Sequence, residues 1–205
     1  MNDTISPSPS TLWVFGFGSL IWKPDFPEPP IDARDCYTRG WVRRFWQAST
    51  DHRGTPEAPG RVLTLVQADA DESTALCRGR AYGFRSAQVQ AVLAYLDVRE
   101  QDGYVRRYIP IWDAHDDTLI TAHALVYVAD ERSERFVKDE QQRRLECIAA
   151  VIATARGPSG DNVTYVLRLQ QALREMQVTD AHIEQVIERL RHAHHLALYD
   201  SHFRA

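Results

Sequence analysis

Leu119-Ile120-Thr121-Ala122-His123-Ala124-Leu125-Val126-Tyr127-Val128 is rich in β-branched and aromatic residues and bounded by turn residues, and shortly after it the spacing of apolar residues changes. From Asp139 onward, Leu145, Ile148, Ala149 and Ile152 recur three and four positions apart, which is the stripe of a helix. Before this boundary, residues 12–15, 41–48, 62–67, 80–84 and 104–112 also read as strands. The short polar connector Asp113-Ala114-His115-Asp116-Asp117 suits a hairpin between the last two. One helix is expected among the strands, capped by Ser86 and carrying Val89, Val92, Leu93 and Leu96. After the boundary, the first helix stops at Gly157-Pro158-Ser159-Gly160, a second starts near Asp161, and a third follows Thr179-Asp180 with Ile183, Val186, Ile187 and Leu190. Strands first and helices last is the order of an α+β domain: a small, mostly antiparallel β-barrel or curved sheet flanked by helices.

Composition narrows the class further. A chain of 205 residues with 44% apolar and 25% charged side chains can bury a core, and no repeat or shift of composition divides it. One domain is expected over residues 12–195, with a polar tail at 1–11 carrying Pro7 and Pro9 and a second tail at 196–205. Twenty-four basic against 28 acidic residues give a net charge of -4 without a long basic run, so nucleic acid is not an expected partner. The apolar stretches at 12–22 and 145–155 fall short of the roughly 18 residues that span a membrane. Cys36, Cys77 and Cys147 are odd in number and far apart, which fits a reducing cytoplasm better than a disulfide framework.

The common chemical motifs fail on particular residues. Gly16-Phe17-Gly18 would need a glycine at Ile21 to be a dinucleotide fingerprint, and Ser19 would need glycines at Phe17 and Ile21 to be a nucleophile elbow. His192, His194 and His195 lie near the chain end and read as a solvated helix face, so no metal is expected. Three polar segments remain: the glycine turn after the first strand, the loop at 49–61, and Asp97-Val98-Arg99-Glu100. Composition alone admits a tight barrel corner, a solvated hairpin connection and a surface carboxylate for these. Glu100, however, follows the C-terminal end of a helix, where the dipole disfavours negative charge. Burial there would raise its pKa further and make it a better proton acceptor near neutral pH.

Val14-Phe15-Gly16-Phe17-Gly18-Ser19-Leu20-Ile21-Trp22, residues 49–61, Tyr95-Leu96-Asp97-Val98-Arg99-Glu100, and Gly157-Pro158-Ser159-Gly160-Asp161-Asn162 with Tyr165 resemble the ChaC-like, glutathione-specific gamma-glutamylcyclotransferases. The likeness runs in the family's order from about Leu12 to about Leu190. It implies a small barrel with helices around it and a cofactor-free enzyme that cleaves glutathione to 5-oxoproline and cysteinylglycine. It also implies that Phe15, Gly16, Phe17, Gly18, Ser19 and Leu20 cradle the gamma-glutamyl group, that Glu100 is the catalytic glutamate, and that Tyr165 faces the pocket under the 49–61 loop. The family's turn reads Tyr-Gly-Ser-Leu, whereas here Phe17 stands in place of the tyrosine. If the missing hydroxyl meets substrate, binding weakens by about 0.5 to 1.5 kcal/mol; if only backbone N–H groups do, little changes.

For such a reaction the α-amino nitrogen of the gamma-glutamyl unit attacks its own side-chain carbonyl, and a carboxylate at Glu100 would take the amine proton and return it to the departing nitrogen. Backbone N–H groups near Gly18 and Ser19 would face the developing oxyanion. Arg53 or Arg61 would pair with the glycine carboxylate through a two-pronged contact. Two other readings share the pocket: a cyclotransferase for other gamma-glutamyl amino acids or amines, and a non-catalytic glutathione-binding regulator.

Overall fold

The computed structural model describes residues 11–69, 74–101 and 103–192. Residues 1–10 of the expected tail at 1–11, residues 193–195 with His194 and His195, and the expected tail at 196–205 lie outside them. Five strands close a barrel in the order β1-β5-β2-β6-β7: β1 (Leu12–Gly16), β2 (Asp32–Arg39), β5 (Leu76–Phe84), β6 (Tyr104–Asp113) and β7 (Leu119–Ala129). Every neighbouring pair is antiparallel except the closure, where Val14 of β1 meets Leu125 of β7 in parallel. The expected α+β architecture, mostly antiparallel, is the observed one.

Alternation along these strands divides the apolar side chains between two cores, as a period of two requires. Val14, Tyr82, Phe84, Leu125 and Tyr127 pack with Val92 and Leu96 of α1 (Val89–Arg99). Phe15, Ala81, Ala124, Val126 and Val128 face the larger core, which includes the buried faces of α2 (Leu145–Thr154), α3 (Asn162–Glu175) and α4 (Ala181–His192). A separate antiparallel hairpin, β3 (Trp41–Ser49) and β4 (Gly60–Gln67), leans on the barrel. The Tyr104 hydroxyl donates to the Leu63 carbonyl at 2.6 Å, and the Ala129 N–H donates to Thr64 Oγ1 at 2.8 Å.

The structure departs from the sequence reading in four places. β2 occupies the middle of the barrel order, although residues 32–39 are not among the segments expected as strands. Four of those eight residues are charged, and only Cys36, Tyr37 and Thr38 are buried. The charges are accommodated by cross-strand pairs, Arg34 with Asp113 at 3.2 Å and Arg80 with Asp35 at 3.1 Å. β5 begins at Leu76, earlier than residue 80. Ser86 opens a 3-10 turn (Ser86–Gln88) instead of capping α1, and the Arg85 N–H donates to the Gln88 side chain at 2.9 Å. Finally, α2 ends at Thr154, and the Gly-Pro-Ser-Gly segment forms the turn of a small hairpin, β8 (Arg156–Gly157) with β9 (Gly160–Asp161). The chain reverses there through Gly160, at φ +106°.

Candidate active site

Beyond β1 the backbone turns sharply into a short 3-10 helix, Ser19–Ile21. Glycine is required at 16 because a Cβ there would lie 2.8 Å from Leu20 Cβ. The carbonyls of the turn are held from behind: Phe17 accepts from Arg43 Nε at 2.8 Å and Leu20 accepts from the Tyr82 hydroxyl at 2.6 Å. The opening N–H groups of a helical turn have no partner within it. Gly18, Ser19 and Leu20 carry those donors at the wall of a cavity of ≈ 850 Å³.

Three further elements line the cavity. Helix α1 ends at Arg99, and Glu100 caps it, its N–H donating to the Leu96 carbonyl at 2.8 Å. The β3–β4 loop contributes Asp51, His52 and Arg53, and α3 contributes Tyr165 and Arg168. The loop is pinned by the β8–β9 hairpin: the Ser159 N–H donates to the His52 carbonyl at 3.0 Å, and a Cβ on Gly157 would sit 2.4 Å from that same oxygen. At the loop's far end, buried Asn162 accepts from the Arg61 N–H at 2.6 Å and donates to the Arg61 carbonyl at 2.8 Å. Asp161 caps α3 by accepting from the Thr164 N–H at 2.6 Å, which sets the start of the helix and therefore where Tyr165 and Arg168 emerge.

Glu100 is the carboxylate of this cavity best suited to carry a proton. Its side chain is 18% exposed, with Arg99 Nε 3.6 Å from Oε1. Burial pushes its pKa above the ordinary value, and Asp51 pushes the same way; Arg99 and His52 pull it down. Asp51 in turn holds His52 through a 2.7 Å contact between Oδ1 and Nδ1. Tyr165 is buried, and burial raises its hydroxyl to about 12, so it stays a neutral donor. Its ring lies 5.7 Å from that of Trp22, and the Arg53 guanidinium sits 5.5 Å from the ring centroid.

Of the residues singled out from the sequence, Phe15, Phe17, Gly18, Ser19, Leu20, Arg53, Glu100 and Tyr165 line one cavity. Gly16 shapes the turn from behind. Arg61 is not among the lining residues: its guanidinium donates to the Gln142 side chain at 3.0 Å and to the Gly60 carbonyl. The sequence reading gave no role to Trp22, His52, Arg99 or Arg168, all of which line the cavity. Arg168 was legible in principle, since it stands three positions after Tyr165 on one helix and so shares its face.

Residues 12–193 match the family model described as ChaC-like protein. The chain belongs to the ChaC-like family. Among its curated relatives, the glutathione-specific gamma-glutamylcyclotransferase of Schizosaccharomyces pombe is 38% identical over 197 residues, covering 88% of this chain and 92% of the relative. The mouse (Mus musculus) glutathione-specific gamma-glutamylcyclotransferase 1 is 39% identical over 186 residues, covering 88% and 78%. A crystal structure of a yeast gamma-glutamylcyclotransferase specific to glutathione superposes with a TM-score of 0.78 at 30% identity, covering 89% of this chain and 96% of that one.

Proposed function

We infer that this ChaC-like protein is a glutathione-specific gamma-glutamylcyclotransferase, an enzyme that releases 5-oxoproline and cysteinylglycine from glutathione. The observation that carries the reading is the placement of Glu100: a half-buried carboxylate with a raised pKa, sharing one cavity with the glycine turn. The free α-amino nitrogen of the gamma-glutamyl unit bonds to the unit's side-chain carbonyl carbon, closing a five-membered ring. The bond from that carbon to the cysteinyl nitrogen breaks. Glu100 takes the proton the attacking amine must lose and delivers it to the departing nitrogen, so atoms and charge balance with no other reactant. Confinement of the substrate between turn and helix end supplies much of the acceleration, since well-oriented intramolecular attack is worth up to about 7 to 11 kcal/mol.

Phe15, Phe17, Gly18, Ser19 and Leu20 hold the gamma-glutamyl group in this account, with backbone donors facing the oxyanion. Gly16 gives the turn its shape. Tyr165 contributes a neutral hydroxyl. Arg53, over the Tyr165 ring and hydrogen-bonded to no carboxylate among the described residues, takes the glycine carboxylate, with Arg168 nearby. Arg61, committed to Gln142 and Gly60, supports the loop. None of the three thiols forms a disulfide, and among the described residues no helix is long and apolar enough to cross a membrane; both fit work on a thiol tripeptide in the cytoplasm. The test is incubation with glutathione, with gamma-glutamyl dipeptides and with gamma-glutamyl amines, followed by chromatography for 5-oxoproline. Fast release from glutathione alone supports the reading. Equal release from all donors points to a broader cyclotransferase, and saturable binding without product points to a regulator.

A further inference from the structure

The residue before the proposed base is bound more elaborately than a helix-end arginine needs to be. Arg99 is 16% exposed, and its guanidinium reaches three parts of the cavity wall at once. Nη2 donates to the Ser19 hydroxyl at 2.8 Å, and Nη1 donates to the Lys23 carbonyl at 2.8 Å, to the Pro24 carbonyl at 3.2 Å and to the Tyr95 hydroxyl at 2.8 Å. Nε is left facing Glu100 Oε1 at 3.6 Å. Ser19 belongs to the turn, Lys23 and Pro24 to the proline-rich loop after it, and Tyr95 to the same helix one turn earlier. One planar fork therefore spans the gap between the group proposed to hold substrate and the group proposed to move its proton.

We propose that Arg99 is a positioning residue of the cyclisation, locking the end of α1, and Glu100 with it, to the Ser19 turn in a single geometry. The proposal rests on the cyclotransferase reading for its chemistry. Its physical basis is that a near-attack arrangement is lost by small displacements, and here the two halves of the site come from different elements, β1 with its turn and α1, whose apolar faces share one core while the Arg99 guanidinium ties their polar ends together at the cavity. A lysine would keep a positive charge but, as a single flexible ammonium, cannot reproduce four directed contacts. The same guanidinium also favours the ionised carboxylate of Glu100. The other groups acting on that carboxylate are His52, which favours its charge, Asp51, which opposes it, and the Tyr165 hydroxyl on α3, which stays neutral.

Three variants separate the two effects: Arg99→Gln, Arg99→Lys and Ser19→Ala. Each is to be measured for the pH profile of kcat/KM and for kcat per folded molecule, with the Glu100 carboxyl titrated by NMR. Arg99→Gln should lower kcat by at least about tenfold and move both the acid limb and the Glu100 titration to higher pH. Arg99→Lys should lower kcat while leaving the acid limb near that of the unaltered protein. Ser19→Ala removes one contact and should lower kcat about two- to tenfold, the worth of one hydrogen bond, without moving the titration. Unaltered kcat per folded molecule in Arg99→Lys and Ser19→Ala overturns the proposal, as does an unmoved Glu100 titration in Arg99→Gln. If Arg99→Gln fails to fold, the other two variants still decide the matter. If the unaltered protein releases no 5-oxoproline, the cyclotransferase reading is what has failed, and the titration still reports on the Arg99 contact.

Discussion

Glu100 sits where two opposing influences on a carboxylate meet. Burial and Asp51 favour the neutral acid; Arg99 and His52 favour the anion; the balance leaves its pKa raised. A group that must be ionised to act as a base should make kcat/KM fall as pH drops through that raised value, so the acid limb should lie above the ordinary 4.5 of a glutamate. Stability runs the other way. A carboxyl that holds its proton more tightly in the fold than in the unfolded chain destabilises the fold progressively as pH rises from the unfolded pKa through the folded one. Glu100→Gln should therefore melt at a higher temperature than the unaltered protein at pH 7, and the difference should vanish below about pH 4, where both states are protonated. Thermal melts across that range check the sign. The sequence places this residue at a helix end, where the dipole disfavours its charge, and leaves its burial as a condition. The leading physical cause is burial, which depends on the β3–β4 loop and α3 coming over it and cannot be read from the local segment.

At the scale of elements, the working surfaces are set by how loops are pinned. Gly157 approaches the His52 carbonyl so closely that Gly157→Ala must push the β8–β9 hairpin and the β3–β4 loop apart. This should destabilise the protein by about 1–3 kcal/mol, the usual range for overpacking, and raise KM for glutathione more than it lowers kcat, because His52 and Arg53 move. Asp161→Ala removes the α3 cap and should lower stability by about 0.5–2 kcal/mol in denaturant unfolding. Legibility followed the physics of each element. Strands such as 119–128 are legible from their β-branched and aromatic composition, and helices such as α4 from their period. β2 did not, because its charges are satisfied by strands that neighbour it only in space. The Gly-Pro-Ser-Gly segment carried a true turn signal, yet its use as a hairpin gripping another loop depends on a contact about a hundred residues away in sequence. The same holds for Arg53 and Arg61: eight positions apart, one in the β3–β4 loop and the other at the start of β4, they part company because Gln142 takes one guanidinium and the Tyr165 ring the other.

For the molecule as a whole, one buried arginine joins the parts. Arg43 on β3 is 2% exposed and donates to the Phe17 carbonyl of the turn, to the Arg78 carbonyl of β5 and to Asp180 at 3.0 Å. Asp180 also accepts from the His182 and Ile183 N–H groups that open α4, so hairpin, barrel, turn and C-terminal helix meet at a single ion pair. Asp180→Ala leaves the cation without its partner and should lower stability by about 3–5 kcal/mol, read from the denaturant midpoint. Barrel, hairpin and helices thus converge on a cavity whose proposed chemistry depends on one proton carrier. The most direct measurement compares Glu100→Gln with the unaltered protein: glutathione affinity by calorimetry alongside 5-oxoproline formation. Retained binding with turnover reduced on the order of 10²–10⁴-fold is the expected result. Near-normal release of 5-oxoproline by the variant would contradict the account.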